Sequence, residues 1–144
     1  MDETQLQTLC EWLHTAPALA GVGALWVDDA PAVPGTAGLF PAGVQVTERR
    51  VNLLGEVRLR CRASFTLRLV LPYDGQSTQP NAATLLAFQR WVLEQSAAGL
   101  APVFGNTDTA RERLTAADAK LERVTDEGTA VYAVQLKAEY TLQY

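Results

Sequence analysis

From Glu56 to Pro72 the chain alternates, with Val57, Leu59, Cys61, Ala63, Phe65, Leu67, Leu69 and Leu71 at every second position. Between them stand Arg58, Arg60, Arg62, Ser64, Thr66 and Arg68, and Val70 is the one apolar exception. Successive side chains of a strand point to opposite faces, so the pattern predicts one long strand with an apolar side and a cationic side. Laid straight, it would span about 55 Å at roughly 3.3 Å per residue. A compact domain of this size has a radius of gyration of about 15 Å, hence a diameter near ~37 Å. The strand must bend at a bulge, or project as an arm that needs cover, most economically from another copy of the chain.

The other elements follow from the same reading. Asp2 to Thr15 predicts a helix capped by Asp2, with Leu6, Leu9, Cys10 and Leu13 as its core stripe. Trp12 lies off that stripe, toward a neighbour or an interface, and His14 ends the helix. Pro17 to Gly23 breaks it, and Ala24 to Val27 is a short strand. Residues 28–43 carry three prolines and three glycines with little charge, which predicts a loop or arm. Leu39 and Phe40 would sit poorly in water, so this segment is expected to dock. Val44 to Leu53 reads as a strand whose alternation slips by one near Glu48 to Arg50, as a bulge produces. Leu54-Gly55 turns it into the long strand.

After a polar turn over 73–80, Asn81 is expected to start a second helix that Gly99 ends. Leu85, Leu86, Phe88, Trp91, Val92 and Leu93 cover well over half its circumference, which calls for a second buried contact. Arg113 to Val124 reads as a polar edge strand and Asp126 to Gly128 as a turn. Thr129 to Tyr144 alternates again, with Tyr132, Val134, Leu136, Ala138, Tyr140 and Leu142 on one face and Gln135, Lys137, Glu139 and Thr141 on the other. The expectation is a single α+β domain over 1–144, order α-β-β-β-α-β-β. Its sheet would be mainly antiparallel, of about four to five strands, with two helices on one face.

Charge sharpens the picture. The 144 residues carry a net −4, yet 44–72 alone carries +4 and the remainder −8. An acidic total argues against a general duplex binder. Oppositely charged regions on one chain suit head-to-tail self-association, which closes into a ring when the rotation permits. Equally, a half-exposed strand can simply carry a solvated arginine face. With 48% hydrophobic residues the chain can build its own core. Cys10 and Cys61 both fall on apolar faces and are expected as reduced core thiols. No long apolar run or basic leader is present, so a soluble protein of a reducing cytoplasm is expected.

Catalytic chemistry finds few residues. His14, the sole histidine, sits at a helix end, where a surface residue is expected rather than a general base. Cys10, His14 and Cys61 lack metal-ligand spacing, and Gly21-Val-Gly23 is too short for a phosphate-binding loop. Asp28-Asp29 reads as a solvated pair, and one phenylalanine among arginines falls short of a base-stacking platform. No enzyme, cofactor or metal site is expected.

Four stretches in order carry a family resemblance: LCEWLHTAPAL, RLRCRASFTLRLVLP, FQRWVLEQSAAGLAPVFG and GTAVYAVQLKAEYTLQY. In layout and texture the chain resembles the small minor capsid and tail-completion (tail terminator) proteins of long-tailed bacteriophages and prophages. The likeness covers most of the chain outside 28–43 and extends more faintly over Val44 to Arg50. It implies a structural α+β subunit of a hexameric ring at the head-proximal end of the tail, with the tail tube and head-neck proteins as partners. DNA would pass through the ring without specific recognition. No membrane would be involved. Location in the virion would follow assembly in the bacterial cytoplasm.

The arginine face departs from what a DNA channel needs, since tight phosphate binding would stall transit. The expected interface residues are therefore Arg49, Arg50, Arg58, Arg60 and Arg62, with Trp12, Trp91, Leu39 and Phe40. The competing reading is a monomeric ligand-binding or enzymatic domain whose pocket, between sheet and helices, is lined by Tyr132, Phe65 and Trp91.

Overall fold

The computed structural model describes residues 1–31, 33–76 and 78–144. Helix α1 (Glu3–His14) begins with a reciprocal cap: Asp2 Oδ1 accepts from the Gln5 amide at 2.8 Å, and Gln5 Oε1 accepts from the Asp2 amide at 3.1 Å. Its Leu9 and Leu13 are fully buried. A short 3-10 turn (Pro17–Leu19) leads to β1 (Ala24–Val27), then β2 (Thr36–Val51), β3 (Val57–Pro72), α2 (Thr78–Ala97), β4 (Arg113–Val124) and β5 (Thr129–Gln143). The five strands form one sheet in the order β1-β2-β3-β5-β4, in which β1 and β2 pair parallel and the other neighbours antiparallel. The α+β architecture and element order match the reading of the sequence.

β3 does not bend. It pairs with β5 in unbroken register from Arg58 opposite Gln143 to Pro72 opposite Thr129. The cover expected from another copy therefore comes first from the chain's own C-terminal strand, which is almost as long. Cys61, Ala63, Phe65, Leu67 and Leu69 of β3 pack with Tyr132, Val134, Leu136, Ala138 and Tyr140 of β5 against Leu9 and Leu13 of α1 and Leu85, Phe88 and Val92 of α2.

Three expectations are corrected. Residues 36–43 are not a loop: they open β2, paired with β3 on one side and, through Leu39, with β1 on the other. Gly38 is required there, because a Cβ would lie 2.1 Å from the Asp29 carbonyl oxygen of the connection crossing above it. The phase slip of β2 falls between Val46 and Glu48, slightly earlier than expected, and a second irregularity separates Pro41 from Val44. Helix α2 starts at Thr78 rather than Asn81. Asn81 is buried instead and donates from Nδ2 to the Pro72 carbonyl at 2.7 Å, tying the helix to the end of β3.

Beyond Gly99 the chain runs flat against the sheet. Phe104 is buried edge-on to Tyr140, with ring centroids 6.1 Å apart. Gly105 lies so close to β5 that a Cβ would stand 2.3 Å from the Thr141 carbonyl oxygen. Glu112 closes this segment by accepting from the amides of Phe104 (2.6 Å) and Gly105 (3.1 Å), while its burial pushes the carboxyl above its usual range. Glu112→Ala would strand two amide donors, and we expect a loss of about 1–3 kcal/mol in chemical denaturation.

Candidate assembly surface

The polar side of the sheet is an ion-pair lattice laid across β3, β5 and β4. Arg60 and Arg62 both reach Glu139, at 3.5 and 3.1 Å, and Arg113 approaches the same carboxylate at 3.8 Å. Arg60 also donates to Thr141 Oγ1 (3.0 Å) and to the Arg111 carbonyl (3.2 Å). Arg58 bridges to Asp108 at 3.0 Å and to Gln143 at 3.0 Å. Toward the other end, Arg68 pairs with Glu122 at 2.7 Å, which holds that carboxyl below its usual range, and stacks its guanidinium 4.5 Å above the Phe40 ring. This face is thus neither a row of free cations nor a solvated fringe: its inner arginines are committed to the subunit's own acids.

Around the pairs at the start of β3, and the further pair of Arg50 with Glu48, a groove opens. Glu48, Arg50, Arg58, Arg60, Asp108, Arg111 and Arg113 surround a volume of about 670 Å³, with Thr141 and Ala110 completing the wall. Five guanidinium groups face two carboxylates there. Arg50 and Arg113 keep most of their surface in solvent, at 77% and 71% of the side chain.

The second feature is the hairpin of β2 and β3. β1 ends opposite Leu39, so among the described residues no strand lies on the outer edge of β2 from Pro41 to Val51. Every residue from Pro41 to Val51 is exposed. Register places Val44, Val46 and Val51 on the helix side, opposite Ala63, Cys61 and Val57, yet no helix covers them. The tip is closed by Asn52, whose Oδ1 accepts from the Leu54 (2.9 Å) and Glu56 (3.0 Å) amides, and by Gly55 at φ +83°. Leu53 and Leu54 project from it, 105% and 85% exposed. At the base of this arm an apolar depression of about 270 Å³ lies between the start of α1 and Pro41, Val44 and Phe65.

The structure gathers only part of the expected interface set. Arg50, Arg58 and Arg60 share the groove, and Arg62 lies beside them. Arg49 is on the opposite side of the arm, because its register partner is Leu59 rather than an arginine. Leu39 is fully buried in the core and reaches no surface, which removes it from the set. Phe40 lies on the polar face under Arg68, remote from the tip. Trp12 and Trp91 stack on each other at 4.7 Å, and Trp12 Nε1 donates to Gln95, so each supplies the contact expected from a neighbour. The sequence reading missed Asp108, Arg111, Arg113 and the central role of Glu139. Glu139 and Thr141 were legible as polar-face residues; their pairing with Arg60 and Arg62 depended on register.

For the competing ligand-pocket reading, Tyr132 is packed into the interior, and Phe65 reaches the depression at the base of the arm with only 3% of its surface exposed. Trp91 borders a separate surface depression beside Pro17 and Thr84. Cys10 and Cys61 are free thiols. Among the described residues, no group of three or more His, Cys, Asp or Glu is placed to hold a metal, and no helix is long and apolar enough to cross a membrane. Compared with protein-family models and with curated proteins, the chain matches none of them.

Proposed function

We propose that this chain is a structural subunit that assembles with copies of itself into a ring, of the tail terminator kind that completes long bacteriophage tails and receives the head. The observation that carries the reading is the arm. It holds a bare strand edge, three uncovered valines and two projecting leucines on a domain whose core is otherwise complete. A free edge with apolar side chains is costly in a lone soluble protein, because it templates pairing with another chain. It persists usefully where a partner strand or surface covers it. The resemblance supplies the identity of the assembly, with tail tube and head-neck proteins above and below the ring and DNA passing through it.

The test is the mass in solution and the particle shape. Light scattering across a concentration series is expected to show an oligomer, and negative-stain images a closed ring that caps purified tail tubes. A strict monomer that leaves tail tubes uncapped would refute the reading. Arg60, although expected at the interface, is a poor probe of assembly. Its side chain is only 24% exposed and binds three groups of its own subunit, so Arg60→Glu would disturb the sheet before it disturbed a neighbour.

A further inference from the structure

We infer that the arginine groove is the socket for the β4–β5 turn of a second copy, with Asp126 and Glu127 of the neighbour entering among Arg50, Arg111 and Arg113. The inference rests on the ring reading above and names the contact that would build the ring. Three observations carry it.

The first is that groove and turn lie at opposite ends of the same sheet. The groove is built around Arg58 and Arg60 at the start of β3. The turn abuts the end of β3, where Pro72 pairs with Thr129 and the Tyr73 amide donates to the Gly128 carbonyl at 2.9 Å. Arg58 and Pro72 are fourteen residue steps apart along the strand, about 46 Å at roughly 3.3 Å per residue. Screening at physiological salt acts over about 8 Å. The two ends therefore cannot neutralise each other within one copy, and a contact between copies is the arrangement that brings them together.

The second is the charge of each end. The groove carries Arg50, Arg58, Arg60, Arg111 and Arg113 against Glu48 and Asp108, an excess of three positive charges before Glu139 beneath it is counted. The turn end carries Asp74, Asp126 and Glu127 against Arg123.

The third is the way the turn is made. Thr125 and Thr129 close it: the Thr125 amide donates to the Thr129 carbonyl at 2.9 Å, and their hydroxyls bond each other at 2.5 Å. Gly128 takes the left-handed position at φ +76°. Asp126 and Glu127 are exposed and play no part in that closure, so the acids are presented on a turn that does not need them. A contact between different patches of identical subunits is heterologous, and it closes into a ring or runs into a filament according to the rotation it imposes.

Charge reversal at each end provides the test. One variant carries Arg50→Glu and Arg111→Glu, the other Asp126→Arg and Glu127→Arg. Both sets lie on exposed side chains. The wild type is expected to associate at about 50 mM NaCl and to dissociate toward about 500 mM, as screening shortens the reach of exposed charges. Each variant alone is expected to associate at least about a hundredfold more weakly, because like charges then face each other across the contact. Mixed in equal amounts, the intact turn of the first variant fits the intact groove of the second. Sedimentation velocity should then show assembly recovered, because the reversed turn of the second variant and the reversed groove of the first also bring opposite charges together.

If both variants assemble like the wild type, or the mixture stays monomeric, this contact is wrong while the ring reading stands. A wild type that remains monomeric at low salt and high concentration overturns both. Retention of a DNA oligonucleotide by the wild type, and not by the groove variant, without any self-association would assign the groove to phosphates and overturn the proposal.

Discussion

Replacing Leu53 and Leu54 together by aspartate is expected to abolish self-association without unfolding the subunit. Both side chains stand in solvent, and the hairpin beneath them is held by Asn52 and Gly55 rather than by the leucines. Substitutions at such positions usually change stability by no more than about 0.5 kcal/mol. Covering one leucine at an interface contributes about 1.5–3 kcal/mol. Every ~1.4 kcal/mol is a factor of ten in affinity, so losing two should weaken assembly by at least about a hundredfold. Sedimentation equilibrium on the double variant reads this directly, with circular dichroism as the control for folding. An oligomer of unchanged strength would mean that the tip faces solvent in the assembly and that the valine side or the bare edge makes the contact.

Phe65→Ala is expected to act in the opposite way, on stability and not on assembly chemistry. Phe65 occupies the middle of β3, opposite Leu136 and inside the main core cluster. Truncating a buried phenylalanine costs about 3–5 kcal/mol, through lost burial and the cavity left behind. That is a large fraction of the ~5–15 kcal/mol that holds a domain of this kind together. The denaturant midpoint should fall accordingly. Val46→Ala lies four residues further along the same side of the sheet, by register with Cys61, but is half exposed, so little loss is expected there. Equal effects at the two positions would contradict the division of β2 and β3 into a packed base and a bare arm.

That division was only partly legible in the sequence. β3 up to Leu69 and the second half of β5 declared themselves because one side there is more deeply buried than the other, so period-two alternation survives; from Thr129 to Val134 both sides of β5 are buried. The opening of β2 did not, because its residues look like punctuation. Gly38 is there to let the connection from β1 pass overhead. Pro41 lies beyond the end of β1, on an edge, where a missing amide donor is tolerated. The tryptophans misled in a different way: Trp12 was read as lying off its core stripe and Trp91 as part of an apolar surface too wide for one contact, but they cover each other, and nothing local in either helix announces a partner 79 residues away. The groove was half visible. Its β3 arginines stood out as a run, whereas Arg111 and Arg113 join them only through the β4–β5 register and the Arg60 bond to the Arg111 carbonyl.

Gly105 has a consequence for how any visitor meets that groove. With no room for a methyl group between it and Thr141, and with Glu112 clasping its amide and that of Phe104, the wall that carries Asp108 and Arg111 is keyed to β5 like a tongue in a slot. Such a seat is already shaped before anything arrives. Capture there should be governed by collision and orientation, with no slow opening step for the incoming body to wait upon.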